Sequence, residues 1–188
     1  MHEEHSTQRK LLWTVLLINA GFFLLEMTTG LISRSMGLVA DSLDMLADAF
    51  VYGISLIAVG GTLSMKKNTA RTAGILQFVL ALVGFAEVIR RSLHAEMMPD
   101  YKFMIFISLL ALVGNSICLY LLQKSKSQEA HIKASKIFTA NDVLINIGVI
   151  VAGLLVLWLK SIIPDLVIGT IVFLIVFKAA IKIYRLGS

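Results

Sequence analysis

"MGLVADSLDMLADAFVYGISLIAVGG", residues 36–61, decides how this chain is read. The run is long enough to cross a bilayer, yet it carries Asp41, Asp44 and Asp48. An ionised carboxylate at the bilayer centre costs about 2.5–3.5 kcal/mol on insertion scales, so three cost roughly 8–10 kcal/mol without partners. A sequence that keeps them needs something to offset that cost.

The surroundings of the run are apolar as well. Hydrophobic residues make up 57% of the 188 residues, and the mean hydropathy is +0.84. That is too apolar for a soluble domain of this length. Charged residues are 15% of the chain and cluster between apolar blocks, the pattern of a polytopic membrane protein. Six segments reach the roughly 20 residues that a crossing needs. They are 11–32, 36–63, 72–93, 102–123, 137–159 and 163–184. Backbone groups in lipid must be satisfied within the segment, which predicts an all-α fold of six transmembrane helices. Pro99 and Pro164 fall in predicted connections, where a missing N–H does no harm. Trp13, Tyr101, Trp158 and Tyr184 lie near predicted span ends, the interfacial position of amphipathic rings.

Lys and Arg set the orientation. With the N-terminus inside, twelve basic residues fall on inner segments, and five (Arg34, Arg90, Arg91, Lys102 and Lys160) fall outside. Both termini are therefore expected in the cytoplasm, and the net charge of +5 is mainly a topology signal. The expected organisation is a cytoplasmic segment 1–10, a six-helix transport domain 11–184 and a short tail 185–188. No cleavable signal peptide and no soluble C-terminal domain are expected. The longest connection, 123–136, is too short to fold alone. Cys118, the lone cysteine, reads as a small packing residue. No interleaving of basic and aromatic residues points to nucleic acid.

Asp44 and Asp48 are four residues apart and share a helix face, about 6 Å apart along the axis. Asp41 lies one turn earlier on a neighbouring part of that face. In the fifth segment, "FTANDVLINIGVIVAG" places Asp142 and Asn146 at the same spacing. Two facing helices with paired oxygen ligands could enclose a divalent cation, whose charge offsets the desolvation penalty. The bland alternative is that each acid is protonated or paired with Lys or Arg, but no basic residue lies inside the spans away from their ends. Glu26 and Glu87 read equally as path-lining or interfacial residues. Asn19, Gln77 and Asn115 read as interhelical hydrogen-bond partners, and Gly53, Ser55, Gly60 and Gly61 as close-packing positions. His2, His5, His94 and His131 read as solvated loop or terminal residues.

"GLISRSMGLVADSLDMLADAFVYGISLIAVG", "NDVLINIGVIVAG" and "PDLVIGTIVFLIVFKAAIKIYR" together resemble the cation diffusion facilitator family over essentially the whole chain. The resemblance implies six transmembrane helices, a homodimer in the inner membrane, and export of zinc or a related divalent metal in exchange for protons. It implies a transport site of Asp44 and Asp48 on the second helix and Asp142 on the fifth, with Asn146 matching an asparagine common in the family. The family position four before Asp142 is commonly a ligand, but here it is Phe138. That leaves Asn146, Asn141 or water as further donors, with Asp41 a weaker candidate. The metal is expected to be zinc, with cadmium, cobalt, manganese and iron as alternatives. An oxygen-rich site leans toward harder ions such as manganese. The metal is cargo, and no resident cofactor is expected. The family also usually carries a soluble domain after the sixth helix, which contributes to dimerisation.

Three other functions compete: a metal-selective channel, an intramembrane aspartyl enzyme pairing Asp44 with Asp142, and a structural subunit without a ligand. The last leaves the acids unexplained. Depth poses a further test. Asp142 lies only about 8 Å past Ile137 and Asp44 about 12 Å from the outer end of its span. They meet only if the helices tilt or the inner side is hydrated.

Overall fold

The computed structural model describes residues 2–58, 63–94, 97–124 and 130–187. Six helices account for nearly all of them: α1 (His2–Ser33), α2 (Met36–Ala58), α3 (Leu63–Leu93), α4 (Tyr101–Lys124), α5 (Ala130–Leu159) and α6 (Ile163–Arg185). The protein is an all-helical, polytopic membrane protein. Five helices are long and apolar enough to span by composition, and α2 is not among them. Its 23 residues reach about 34 Å, which is sufficient length. Its three aspartates are what set it apart.

The bundle shields α2. It packs against α1, α3, α5 and α6 and touches α4. Every residue from Met36 through Met45 is buried. The other helices turn large apolar side chains outward, such as Leu17 and Leu24 on α1 and Leu82 and Val83 on α3. These face hydrocarbon, so association rests on packing and interhelical hydrogen bonds.

Several boundaries differ from the sequence reading. α1 runs from His2, so segment 1–10 continues the helix. α3 begins at Leu63 and α5 at Ala130, which turns half of the expected 123–136 connection into helix. Pro164 lies in the first turn of α6, where no N–H is needed. The expected end of the second span, with Gly60 and Gly61, lies outside the described residues, as do the side chains of Ser55, His2, His5 and His131. Gly53 packs with α1: a Cβ there would meet Leu16 at 3.7 Å.

A two-residue turn joins α1 to α2. Arg34 takes φ of 60°, and the N–H groups of Arg34 and Ser35 bond to the carbonyls of Leu31 (3.4 Å) and Gly30 (2.9 Å). That is a Schellman ending with arginine where glycine is usual, at about 1–2 kcal/mol for the left-handed backbone. Arg91 at the end of α3 donates to the Arg34 carbonyl at 2.7 Å and holds the turn.

Asp165 of α6 completes the start of α2. It accepts from Ser35 Oγ (2.6 Å), Met36 N–H (2.7 Å) and Gly37 N–H (3.0 Å), while Ser35 Oγ accepts from Leu38 N–H at 3.1 Å. The first orphan donors of α2 are thus satisfied from a helix 130 positions away in sequence. The approach requires Gly169, where a Cβ would sit 3.0 Å from the Met36 carbonyl group.

Candidate cation site

α5 explains how the acids meet. Because it starts at Ala130, Asp142 stands about 18 Å into α5, and Asp48 about 18 Å into the antiparallel α2. Asp44 and Asp48, one turn apart, share the α2 face that looks toward α5. They flank a cavity of about 520 Å³ together with Asn141, Asp142 and Phe138 of α5 and Lys178 and Lys182 of α6. The cavity lining extends from Ile168 in the second turn of α6 to Lys182 near its end, with Ile145 midway along α5. Beyond Ile145, toward the Ser35 end, a packed cluster that includes Leu38, Val39, Met104 and Val149 closes the bundle.

The three acids are 1–6% exposed. The Asp142 carboxyl lies in hydrogen-bond range of both Asp44 and Asp48, and its Oδ2 meets no donor. Asp48 is held by Tyr52, whose hydroxyl donates to Oδ2 at 3.2 Å and lies 2.9 Å from Thr139 Oγ1. With Tyr52 donating to Asp48, Thr139 supplies the proton of the second bond. Sequence reasoning missed Tyr52 and Thr139, although the four-residue step from 44 to 48 continues to 52. Among the described residues no three His, Cys, Asp or Glu side chains already stand as a finished metal site. The carboxylates approach pairwise around open space instead.

Phe138 faces the cavity, as its spacing from Asp142 predicts, and Lys182 Nζ stands 4.3 Å from its ring centroid. This cation–π contact parks one ammonium at the mouth. Asn141 lines the cavity from an exposed position. Asn146 does not line it. Its Nδ2 donates to Asp41 Oδ2 at 2.7 Å and its Oδ1 accepts from Asn115 at 3.0 Å, which ties α5 to α2 and α4. Asp41 is likewise absent from the lining. A step of four residues turns about 40° around a helix, enough to take 146 off the face that 142 shares with 138.

The other polar residues sort by their partners. Gln77 donates to the Leu43 carbonyl of α2, an interhelical bond. Asn19 instead donates within its own helix, to Val15 at 2.9 Å. Glu87 does not line the cavity, and it pairs at 2.8 Å with both Arg90 and Arg91 at the end of α3. His94 is exposed, with Nδ1 3.0 Å from the Arg90 carbonyl oxygen.

Residues 12–186 match the family model of the cation efflux transmembrane domain, a span that takes in most of α1 and the whole of the other five helices. That family is a transporter family rather than an enzyme family, which supports cation transport over the aspartyl-enzyme and ligand-free readings. The chain belongs to the cation efflux, or cation diffusion facilitator, family of membrane transporters of divalent cations.

Proposed function

We propose that this protein exports a divalent metal ion from the cytoplasm across the inner membrane in exchange for protons, with Asp44, Asp48 and Asp142 as the carboxylates that bind the ion. The observation that carries this reading is the meeting of all three around one cavity whose lining reaches Lys178 and Lys182. The excess of Lys and Arg on the Lys182 side is that of a cytoplasmic end, so the cavity lining reaches toward the cytoplasm. A protonated carboxyl has lost the charge that attracts a cation, so metal and proton compete for the same oxygens.

Phe138 leaves the pocket with oxygen donors only: three carboxylates, the Asn141 amide and water. That set serves zinc and suits harder ions such as manganese as well. Asp41 and Asn146 support the site from behind, with the Asn146 amide fixing α5 against α2. The protein works as a homodimer held by its lipid-facing surfaces.

Proteoliposomes test the assignment. Uptake of zinc or manganese should follow an imposed pH gradient and fall to background in Asp48→Asn and Asp142→Asn, with both variants folded. Metal flux that ignores the gradient would make the protein a channel. Wild-type flux in both variants would remove the carboxylates from the site.

A further inference from the structure

Glu26 is wholly buried on α1, and neither of its oxygens meets a donor. Nor does it line the cavity. Asp41 of α2 lies in hydrogen-bond range of it, and Asp44 on the same helix is close enough to act on its charge. From α5 the charge that reaches it is Asp142. Between Lys102 and Lys124, α4 carries only Cys118 and Tyr120 as titratable groups. Among the described residues no basic side chain reaches the Glu26–Asp41 pair.

Asp41 is half satisfied. Asn146 occupies Oδ2 at 2.7 Å, and Oδ1 has no donor. The Asn115–Asn146 chain fixes the carboxyl from one side and leaves the other oxygen open. A carboxylate only accepts, so two facing carboxylates leave lone pairs empty and set like charges together in an apolar interior. One proton cures both faults. It makes one carboxyl a donor to the other and removes one of the two charges.

We infer that Glu26 and Asp41 form a proton-binding carboxyl pair, walled off from the cavity, which holds one proton while the cavity is free of cation and releases it to solvent when a divalent ion arrives beside Asp44. The step makes and breaks only an O–H bond, and the arriving positive charge compensates for the lost proton. The release rests on the cation reading above; the existence of the pair does not.

Infrared spectroscopy and calorimetry on the full chain in lipid nanodiscs separate the two. The metal-free parent should show the carbonyl band of a buried, protonated carboxyl, shifted in heavy water. The cavity acids contribute to the same band when protonated, so the pair is read as the component that Glu26→Gln and Asp41→Asn each remove. Manganese or zinc titrated in two buffers of different ionisation enthalpy counts the protons released per ion. Glu26→Gln should still bind the ion and release about one proton fewer. A band that loses no component in either substitution overturns the pair, and so does an unchanged proton count. If Glu26→Gln does not fold, Asp41→Asn carries the infrared readout and Glu26→Leu the proton count. If the parent binds neither ion, the cation reading fails while the infrared band still decides the pair.

Discussion

Asp165 and Asp142 are equally buried, each about 1% exposed, and they do opposite things. Asp165 receives three donors at the start of α2 and joins that helix to α6. Asp142 has an oxygen that meets no donor and looks into a cavity. A buried carboxylate whose lone pairs are filled is architecture. One whose lone pairs are left open is a demand for a ligand or a proton. The bundle thus has an end around Ser35 where Asp165 is fully bonded, and a hollow half toward Lys182.

The sharpest way to break this contrast is to treat the two acids alike. Asp142→Asn should abolish transport with little change in thermal stability. Asp165→Ala should do the reverse, costing about 3 kcal/mol by stranding the Met36 and Gly37 N–H groups. Metal affinity of the Asp165→Ala protein that remains folded should be unchanged. Thermal melts and metal calorimetry on both variants read this out. A normal melt for Asp165→Ala would show that the closed end does not depend on this contact.

Phe138→His sharpens the hollow side. The residue faces the cavity, so an imidazole there adds a nitrogen to three carboxylates and makes a four-ligand set suited to tetrahedral zinc. Competition uptake should shift toward zinc and cadmium and away from manganese. An unchanged preference would mean that the ion sits out of reach of position 138.

Tyr52→Phe is milder. It removes the donor that orients Asp48 and stabilises its charge, and should weaken metal binding by about 1 kcal/mol, about fivefold. Equal affinity in calorimetry would reduce the Thr139–Tyr52 pair to packing. The smallest effect is expected at Glu87, which is a third exposed and salt-bridged at the closed end. Glu87→Gln should change stability by no more than about 1 kcal/mol and leave transport intact. A large loss of transport in flux assays would give that end a part in the cation path.

The helices were legible because hydrocarbon demands apolar length, and that demand is written residue by residue. Their ends were less so. Helical geometry continues past the lipid edge through polar stretches such as Lys67–Arg71 and Lys133–Lys136, which hydropathy marks as loop. Spacing puts Asp44 and Asp48 on one helix face, because four residues return nearly to the same side, and Asp142 joins them as a candidate through its place in a facing span and the family resemblance. Asn146 could not be placed this way, since the 40° offset of one step decides whether it meets the cavity or Asp41. Asp165 sits beside a proline at a span edge and looks like an interfacial acid. Only the fold brings it to the start of α2.

The turn at Arg34–Ser35 bears on how the protein enters the membrane. α2 carries three acids and is a poor substrate for independent partitioning into lipid, while α1 spans readily by composition. With only Arg34 and Ser35 between them, the two helices are expected to insert as one hairpin, with the apolar face of α1 carrying α2 across. The arginine in a left-handed backbone is then the pivot of that hairpin. Lengthening the turn would turn one insertion event into two, the second of them uphill.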